Sequence, residues 1–342
     1  MSKLTGGFIK SGKKKPAGTT KKPANKKKPA QKKPTKEKST KKTKSSSVSG
    51  GFITGGDAGT AEITKKLVNT ECSLSKPNAE VCSSPEQIQD MAKMVTAETG
   101  KTAPKSEKAV VEAAKKVTGC KTESCLYSSS KLRRYMDDWR ADQALQTNFK
   151  PIGPARTTAL LSNVDIDEIG QNMAAGYPCH THLNFEMIDF DQKNTQLARV
   201  DLINLLTSAS SDCSGSRRTM SCVINTDHSS GGGLHWFCVF VEADIKAKRV
   251  SIEYFNTSGR LPRESVWDWM NKHNRNFRNA GWTSETKQIC TTCIQDDNHS
   301  CGVWSLCYIW ARLEKIPSNW FKPGSVTDDD MLQLRKHLFR DE

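Results

Sequence analysis

Residues 295–313 read QDDNHSCGVWSLCYIWARL, and this stretch decides the fold. From Cys301 to Leu313 the sequence is apolar on almost every side and too long for an ordinary strand, so it predicts a buried helix. Ser300 stands where an N-cap residue would, which places Cys301 in the first helical turn. Unpaired backbone N–H groups and the helix dipole lower the pKa of a thiol there, which favours a nucleophilic cysteine.

Two predicted strands bring a histidine and an asparagine together. The strands cover Leu234–Val241 and Arg249–Phe255, so His235 opens one and Asn256 follows the other. A turn centred between residues 245 and 246 pairs positions whose numbers sum to 491, which is 235 + 256. Asn256 is therefore predicted to accept a hydrogen bond from the His235 ring and to fix its tautomer, as the third member of a triad does.

Other residues remain alternatives for these two roles. Three acidic side chains compete with Asn256 for the orienting position: Asp189, Glu253 and Asp297. His299, two residues before Cys301, is the alternative base if the hairpin register differs.

Further residues around Cys301 complete a candidate site. Gln295 precedes Cys301 by six residues, and its amide is predicted to form an oxyanion hole with the Cys301 backbone N–H. Gly302 leaves room for a substrate backbone, and Trp236 is expected to shield the imidazole from water. Cys307 on the same helix is interpreted as a core thiol.

The N-terminal segment has a composition of its own. Residues 1–48 hold 17 Lys, no Arg and one Glu, a net charge of 17 − 1 = +16, which leaves 15 − 16 = −1 for the rest. A segment of Lys, Pro, Ala, Thr and Ser cannot bury a core, so it is predicted to be disordered and to contact DNA without reading sequence. Nuclear targeting or a solvated spacer are the alternatives. The lysines singled out for nucleic-acid binding are Lys13, Lys14, Lys15, Lys26, Lys27 and Lys28.

Paired glycines bracket this tail. Thr5-Gly6-Gly7-Phe8-Ile9 recurs as Ser49-Gly50-Gly51-Phe52-Ile53, and Thr54-Gly55-Gly56-Asp57 follows at once. Flexible linkers are the plain interpretation of such pairs.

The middle of the chain carries helical signals and scattered cysteines. Ser84-Pro85-Glu86 predicts a helix start, residues 106–117 form a second apolar stripe, and residues 165–174 an acidic-capped helix. The 12 Cys suggest reduced thiols rather than a disulfide framework, and neither Cys120 with Cys125 nor Cys290 with Cys293 has a convincing zinc spacing. Without a membrane-spanning stretch or a signal-peptide pattern, a soluble intracellular protein is expected, with no metal and no cofactor.

Three strings carry a family resemblance. Gly233-Leu234-His235-Trp236, then Tyr254–Gly259, then Gln295–Gly302 resemble, in order and spacing, the SUMO-protease and adenovirus-protease superfamily. The likeness covers about residues 150–342 and is greatest to the polyprotein proteases of large DNA viruses of the African swine fever type. One position departs from the pattern, because most cellular relatives have Asp where this chain has Asn256.

The resemblance implies a fold and a domain plan. The fold expected is α+β, with a papain-like, SUMO-protease-like catalytic core in which helices flank a central mixed sheet. The plan is a disordered Lys-rich tail over residues 1–56, a helical extension over 57–150 and a cysteine protease domain over 151–342.

The resemblance also implies an activity, a cysteine endopeptidase that cuts viral core precursors after Gly-Gly. A narrow tunnel beneath Trp236 and Trp304 would admit only residues without Cβ, and Gly7, Gly51 and Gly56 become candidate self-cleavage sites. The expected partners are Gly-Gly-containing polyproteins and DNA, with no membrane. The expected location is the viral factory in the host cytoplasm and the virion core, with the nucleus as the alternative. The alternative functions are a SUMO or ubiquitin-like deconjugating protease and a non-catalytic DNA-binding virion scaffold.

Overall fold

The computed structural model describes residues 71–74, 76, 79–208 and 213–340. The domain boundary at residue 56, the six tail lysines from Lys13 to Lys28 and the glycines Gly7, Gly51 and Gly56 lie outside these residues. Across the described part of the chain, no helix is long and apolar enough to cross a membrane.

The N-terminal part of the described chain forms the helices α1 (Pro85–Thr99), α2 (Glu107–Thr118), α3 (Glu123–Ser128) and α4 (Asp138–Asn148). The two helices predicted here are confirmed, since Ser84 and Gln87 form a capping box at α1 and the Ser106 side chain caps α2. Their apolar faces share a buried cluster with Phe149, separate from the clusters that flank the sheet.

Among the described residues, five strands form one sheet. Its strands are β1 (His180–Met187), β2 (Arg217–Asn225), β3 (Trp236–Asp244), β4 (Arg249–Phe255) and β5 (Thr283–Gln288), paired in that order. β2, β3 and β4 are antiparallel neighbours, whereas β1 and β5 run parallel to the strands beside them. The expected mixed sheet of an α+β fold is confirmed.

Helices cover both faces of this sheet. They are α5 (Asn163–Gly176), α6 (Gln196–Arg199), α7 (Leu202–Thr207), α8 (Glu264–Asn279), α9 (Cys301–Leu313) and α10 (Asp328–Leu338). Along β3 the side chains alternate, so Cys238 and Phe240 pack toward α9 while Phe237 and Val239 pack toward α8. α9 is apolar all round because it lies between the sheet, α5 and α10, and its predicted limits are confirmed.

Buried charges fasten α9 to the sheet. Glu253 is 1% exposed and accepts hydrogen bonds from Tyr308 at 2.6 Å and from Arg312 at 2.9 Å. Arg312 also bonds Glu242 on β3 at 2.6 Å. Removing one partner of such a network leaves a buried charge unpaired, so these contacts hold the C-terminal half of α9 against β3 and β4. They also remove Glu253 from the candidates for orienting His235.

Several sequence predictions need correction. The β3–β4 register pairs Cys238 with Phe255, a sum of 493 rather than 491, so the turn is centred one residue later. The strand expected over residues 185–190 is β1, which starts at His180, and Phe190 lies in a 3-10 turn.

The expectation of reduced thiols throughout is also wrong. Three disulfides join Cys72 to Cys82, Cys120 to Cys125 and Cys179 to Cys213, because the fold brings these side chains together across loops. Six cysteines stay free, and these include Cys290, Cys293 and Cys301.

Candidate active site

Cys301 lies at the first position of α9 and is 3% exposed. Three backbone N–H groups act on its sulfur, those of Trp236, Gly302 and Cys301 itself. Ser300 does not cap the helix with its side chain, contrary to the prediction. Its hydroxyl donates instead to the carboxylate of Asp297, which also accepts the N–H groups of His299 and Ser300. Asp297 therefore orders the loop directly before Cys301 and so positions the thiol.

The expected lowering of the thiol pKa is not found. Burial raises the pKa of Cys301 above the ordinary value, and the backbone donors from Trp236 and Gly302 act in the opposite direction without overcoming it. Reasoning from the helix end alone omits the apolar side chains that cover the sulfur. The thiol is therefore protonated at neutral pH in this conformation.

His235 and Asn256 are in contact, as predicted. His235 Nε2 lies 2.8 Å from Asn256 Oδ1. The same oxygen accepts the Ser258 backbone N–H at 3.0 Å, and Asn256 Nδ2 donates to the Tyr254 hydroxyl at 2.7 Å. Because a backbone N–H can only donate, Oδ1 is the acceptor, and the proton of the neutral imidazole sits on Nε2. Nδ1 is left with a lone pair, as a general base needs.

The imidazole is held in its neutral form. Burial and the positive charge of Arg260 lower the pKa of His235, and the hydrogen bond to Asn256 raises it by less. Within the described residues, no hydrogen bond joins the ring to the Cys301 sulfur, although the neighbouring Trp236 N–H does reach it. Catalytic hydrogen bonds often form only when substrate is bound.

A cleft of about 620 Å³ opens beside Cys301. Trp236 and Leu161 face each other in it, and Trp236 Nε1 donates to the Leu161 carbonyl at 3.1 Å. Next to the sulfur the packing is tight, since a Cβ on Gly302 would lie 3.2 Å from both Leu161 and Trp236. Trp304 takes no part in this cleft, contrary to the prediction. It is fully buried and donates to Asp328 at 2.7 Å.

Gln295 links the loop after β4 to the loop before α9. Its Oε1 accepts from the Thr257 hydroxyl at 2.6 Å, next to Asn256. Its Nε2 donates to the backbone carbonyl and the carboxylate of Asp297, at 3.1 and 2.9 Å. Both amide protons are therefore occupied in this conformation rather than turned toward Cys301.

The remaining alternatives lie elsewhere. Asp189 accepts hydrogen bonds from Ser229. The His299 ring lies 3.2 Å from Asp297 and so pairs with an acid in the preceding loop.

Two elements of the site were not anticipated from the sequence. Leu161 belongs to the segment before α5, where no chemical motif marks it. The run Gly231-Gly232-Gly233 lines the cleft, and Asp227 accepts the Gly233 N–H at 3.1 Å. Asn225 holds the other end of this loop, because its side-chain oxygen accepts the backbone N–H of Leu234 at 3.0 Å. This bond positions the backbone directly before His235. The glycine run just before the His-Trp pair was the available signal.

Comparison with known proteins defines the relatives. No model of a known protein family matches the chain. The SUMO-1 cysteine protease of African swine fever virus (isolate Pretoriuskop) is 33% identical over 234 residues, which are 66% of this chain and 85% of that protein. The putative thiol protease R355 of Acanthamoeba polyphaga mimivirus is 21% identical over 202 residues, 59% of this chain and 63% of that protein. A crystal structure of the African swine fever virus protease matches with a TM-score of 0.60 at 27% identity, and the match covers 80% of this chain and 96% of that one.

The match to nearly the whole of a solved protease, together with this level of identity, makes the chain a cysteine protease with a SUMO-protease-like fold. Within that class, it belongs to the family of viral cysteine proteases that includes the African swine fever virus enzyme.

Proposed function

We propose that this protease cleaves viral structural precursors after Gly-Gly, with Cys301 as nucleophile and His235 as base. The observation that carries the proposal is the narrow cleft at Cys301. Trp236 and Leu161 are bonded to each other beside the sulfur, and Gly302 has no spare room between them. A substrate chain that passes this point has little space for a Cβ, which favours glycine on the acyl side of the scissile bond.

The proposed reaction starts from a neutral thiol and a neutral imidazole. Nδ1 of His235 takes the proton of Cys301 as the sulfur attacks the carbonyl carbon, and the backbone N–H of Cys301 donates to the oxygen that becomes negative. The imidazolium, steadied by Asn256, then gives its proton to the leaving amine. Water attacks the thioester with His235 again as base, which restores the thiol.

Gln295 is proposed as the second oxyanion donor. This role requires its amide to exchange one of its hydrogen bonds to Asp297 for the substrate oxygen. Both residues lie in the loop just before Cys301, so the exchange requires the Gln295 amide to turn from Asp297 toward the thiol.

The chain also offers substrates of its own. We propose that it cuts after Gly7, Gly51 or Gly56, and that a cut after Gly51 or Gly56 releases the basic tail from the rest of the chain. Before release, a tail of net charge +16 binds DNA by displacing counterions, which holds the protease on DNA-bound precursors. In this plan residues 57–150 form a helical extension and residues 151–342 the catalytic domain.

A second candidate function is removal of SUMO or a similar modifier. One relative carries SUMO-1 in its name, which makes such a modifier a reasonable second substrate. A modifier tail that ends in Gly-Gly fits the same narrow cleft.

The test is cleavage of short peptides that contain Gly-Gly-Xaa by the full chain. We expect cuts after the second glycine, read by product mass, with wild type and with Cys293→Ser, which alters an exposed free thiol. Cys301→Ala should leave the peptides intact. Cleavage by Cys301→Ala, or equal cleavage when Ala replaces either glycine, would contradict the proposal, and cleavage of a SUMO fusion alone would favour the second function.

A further inference from the structure

A second pocket, of about 290 Å³, begins at His235. It shares no lining residue with the cleft at Cys301. Leu234 and Trp236 line the cleft, whereas His235 and Phe237 line this pocket, as expected for side chains that alternate along a strand. The candidate base therefore lines the second pocket, while its chain neighbours Leu234 and Trp236 line the cleft at Cys301.

Two arginines give this pocket a positive charge. Arg260 and Arg263 line it, both are exposed, and within the described residues neither guanidinium has an ion-pair or hydrogen-bond partner. No acidic side chain is among the described residues that line it. The charges of both arginines extend into the pocket. Burial lowers the pKa of His235 and the charge of Arg260 lowers it further, whereas burial raises the pKa of Tyr254 and the charge of Arg263 acts against that rise.

The chemistry of the reaction decides which part of a substrate meets this pocket. The acyl part must lie with the carbonyl carbon at Cys301, in the cleft. The leaving amine receives its proton from the histidine, so the residue that carries this amine lies against His235. Its side chain then has the pocket of Arg260 and Arg263 as its nearest cavity.

We propose that Arg260 and Arg263 form a subsite for an acidic side chain on the first residue after the scissile bond. The inference rests on the proposed cleavage after Gly-Gly and adds a preference on the other side of the bond. The two arginines bind and position the leaving residue, and they take no part in the proton transfers.

The subsite ranks the candidate self-cleavage sites. Gly55-Gly56 is followed by Asp57, whereas Gly6-Gly7 and Gly50-Gly51 are each followed by Phe. An aspartate places its carboxylate between two unpaired guanidinium groups. A phenylalanine can contact Phe237 and Leu261 but leaves both charges without a counterion. The cut after Gly56 is therefore expected first.

The test compares peptides that differ only after Gly-Gly. Ile-Thr-Gly-Gly-Xaa-Ala with Xaa as Asp, Asn, Lys or Phe is cleaved by the full chain, and kcat/KM is measured for each. Because exposed charge pairs are weak, we expect Asp to exceed Asn by about fivefold at low ionic strength and Phe by at least as much. The ratio should shrink as salt is added.

A charge reversal supplies the second variant. Arg260→Glu combined with Arg263→Glu should reverse the preference, so that Lys exceeds Asn and Asp falls below it. Ratios are used because Arg260 also affects the His235 pKa, and this effect is common to every peptide. Arg249→Glu, at the exposed far end of β4, is the matched control and should keep the preference for Asp.

Each outcome decides a different point. Equal cleavage of the Asp and Asn peptides by wild type, or preferential cleavage of the Phe peptide, would overturn the subsite and leave Gly-Gly cleavage intact. A reversed preference in the Arg249→Glu control would also overturn it. Absence of cleavage in every peptide would remove the proposed function, and the subsite with it.

Discussion

Replacing Asn256 by Asp tests how the imidazole is held. Asn256 Oδ1 accepts from His235 Nε2 at 2.8 Å and from the Ser258 N–H at 3.0 Å, and a carboxylate in the same place keeps both bonds. The new negative charge favours the imidazolium, and an opposite charge this close shifts a pKa by about 1 to 3 units. The pKa of His235, which burial holds below its ordinary value, should therefore rise by that amount.

The assay is the pH dependence of kcat/KM for a Gly-Gly peptide. With a neutral thiol and a neutral imidazole in the free enzyme, protonation of His235 removes the base and sets the acid limb of the profile. A higher His235 pKa means protonation at higher pH, so the acid limb of Asn256→Asp should move up by about 1 to 3 units. Asn256→Ala, which removes the amide without adding charge, should show no upward shift.

An acid limb that stays in place or moves down in Asn256→Asp would refute this account. It would mean that ionisation of Cys301, rather than of His235, controls activity at low pH, and that the resting pair is a thiolate and an imidazolium.

Three further predictions concern the loop, the cleft and the core. Gln295→Ala should lower kcat by about 10² to 10³-fold if the Gln295 amide donates to the oxyanion. An unchanged kcat together with a lower melting temperature would mean that Gln295 only stabilises the structure, through its hydrogen bonds to Thr257 and Asp297. Gly302→Ala places a methyl group 3.2 Å from Leu161 and Trp236, so kcat/KM should fall about tenfold through overpacking. Gly215→Ala is the control and should match wild type, because the atoms nearest to its new methyl group, on Arg217 and Cys179, would lie at an ordinary contact distance of 3.9 Å. Equal effects of the two substitutions would argue against a narrow cleft. Burial lowers the pKa of His180 to about 3 and that of His182 to about 4, while the unfolded chain takes up these protons below about pH 6.5. The free energy of unfolding in urea should therefore fall by about 2 kcal/mol per histidine between about pH 7 and pH 5. This decrease should be smaller in His182→Asn than in wild type, and it should equal the wild-type decrease in the control His228→Asn, which changes an exposed residue. A free energy of unfolding that does not change with pH in wild type would contradict the assignment.

The helix at the centre of the site could be predicted because its sequence is apolar on every side. Such a pattern gives the limits of α9, from Cys301 to Leu313, but it gives no information about which face meets the cleft. Trp304 was therefore assigned to the substrate tunnel when it packs toward Asp328, beneath the start of α10.

The contact between His235 and Asn256 was predictable, while the register was not. In the turn between β3 and β4, Lys248 has a φ of 47°, which is a left-handed conformation. A lysine in a sequence gives no signal for this conformation, because residues other than glycine seldom adopt it. The centre of the turn was accordingly misplaced by one residue. The predicted contact between His235 and Asn256 is correct despite the shifted register. Both residues lie just outside the paired part of β3 and β4, where their side chains can still reach each other.

Properties that depend on distant parts of the chain were beyond the sequence. The pKa of Cys301 depends on burial, and only the fold brings distant residues such as Leu161 and Trp236 into the cleft that Cys301 lines. The disulfide of Cys179 with Cys213 likewise joins positions 34 residues apart. Local reasoning from a helix end or from cysteine spacing includes neither effect.

The most direct test of the central claim is covalent capture of the nucleophile. The full chain is incubated with Leu-Thr-Gly-Gly bearing a C-terminal vinyl sulfone, and the modified residue is located by peptide mass mapping. The account predicts one adduct, on Cys301, that does not form in His235→Ala at neutral pH or with a Leu-Thr-Ala-Ala probe. An adduct on Cys293 or another cysteine, or equal labelling by both probes, would contradict it.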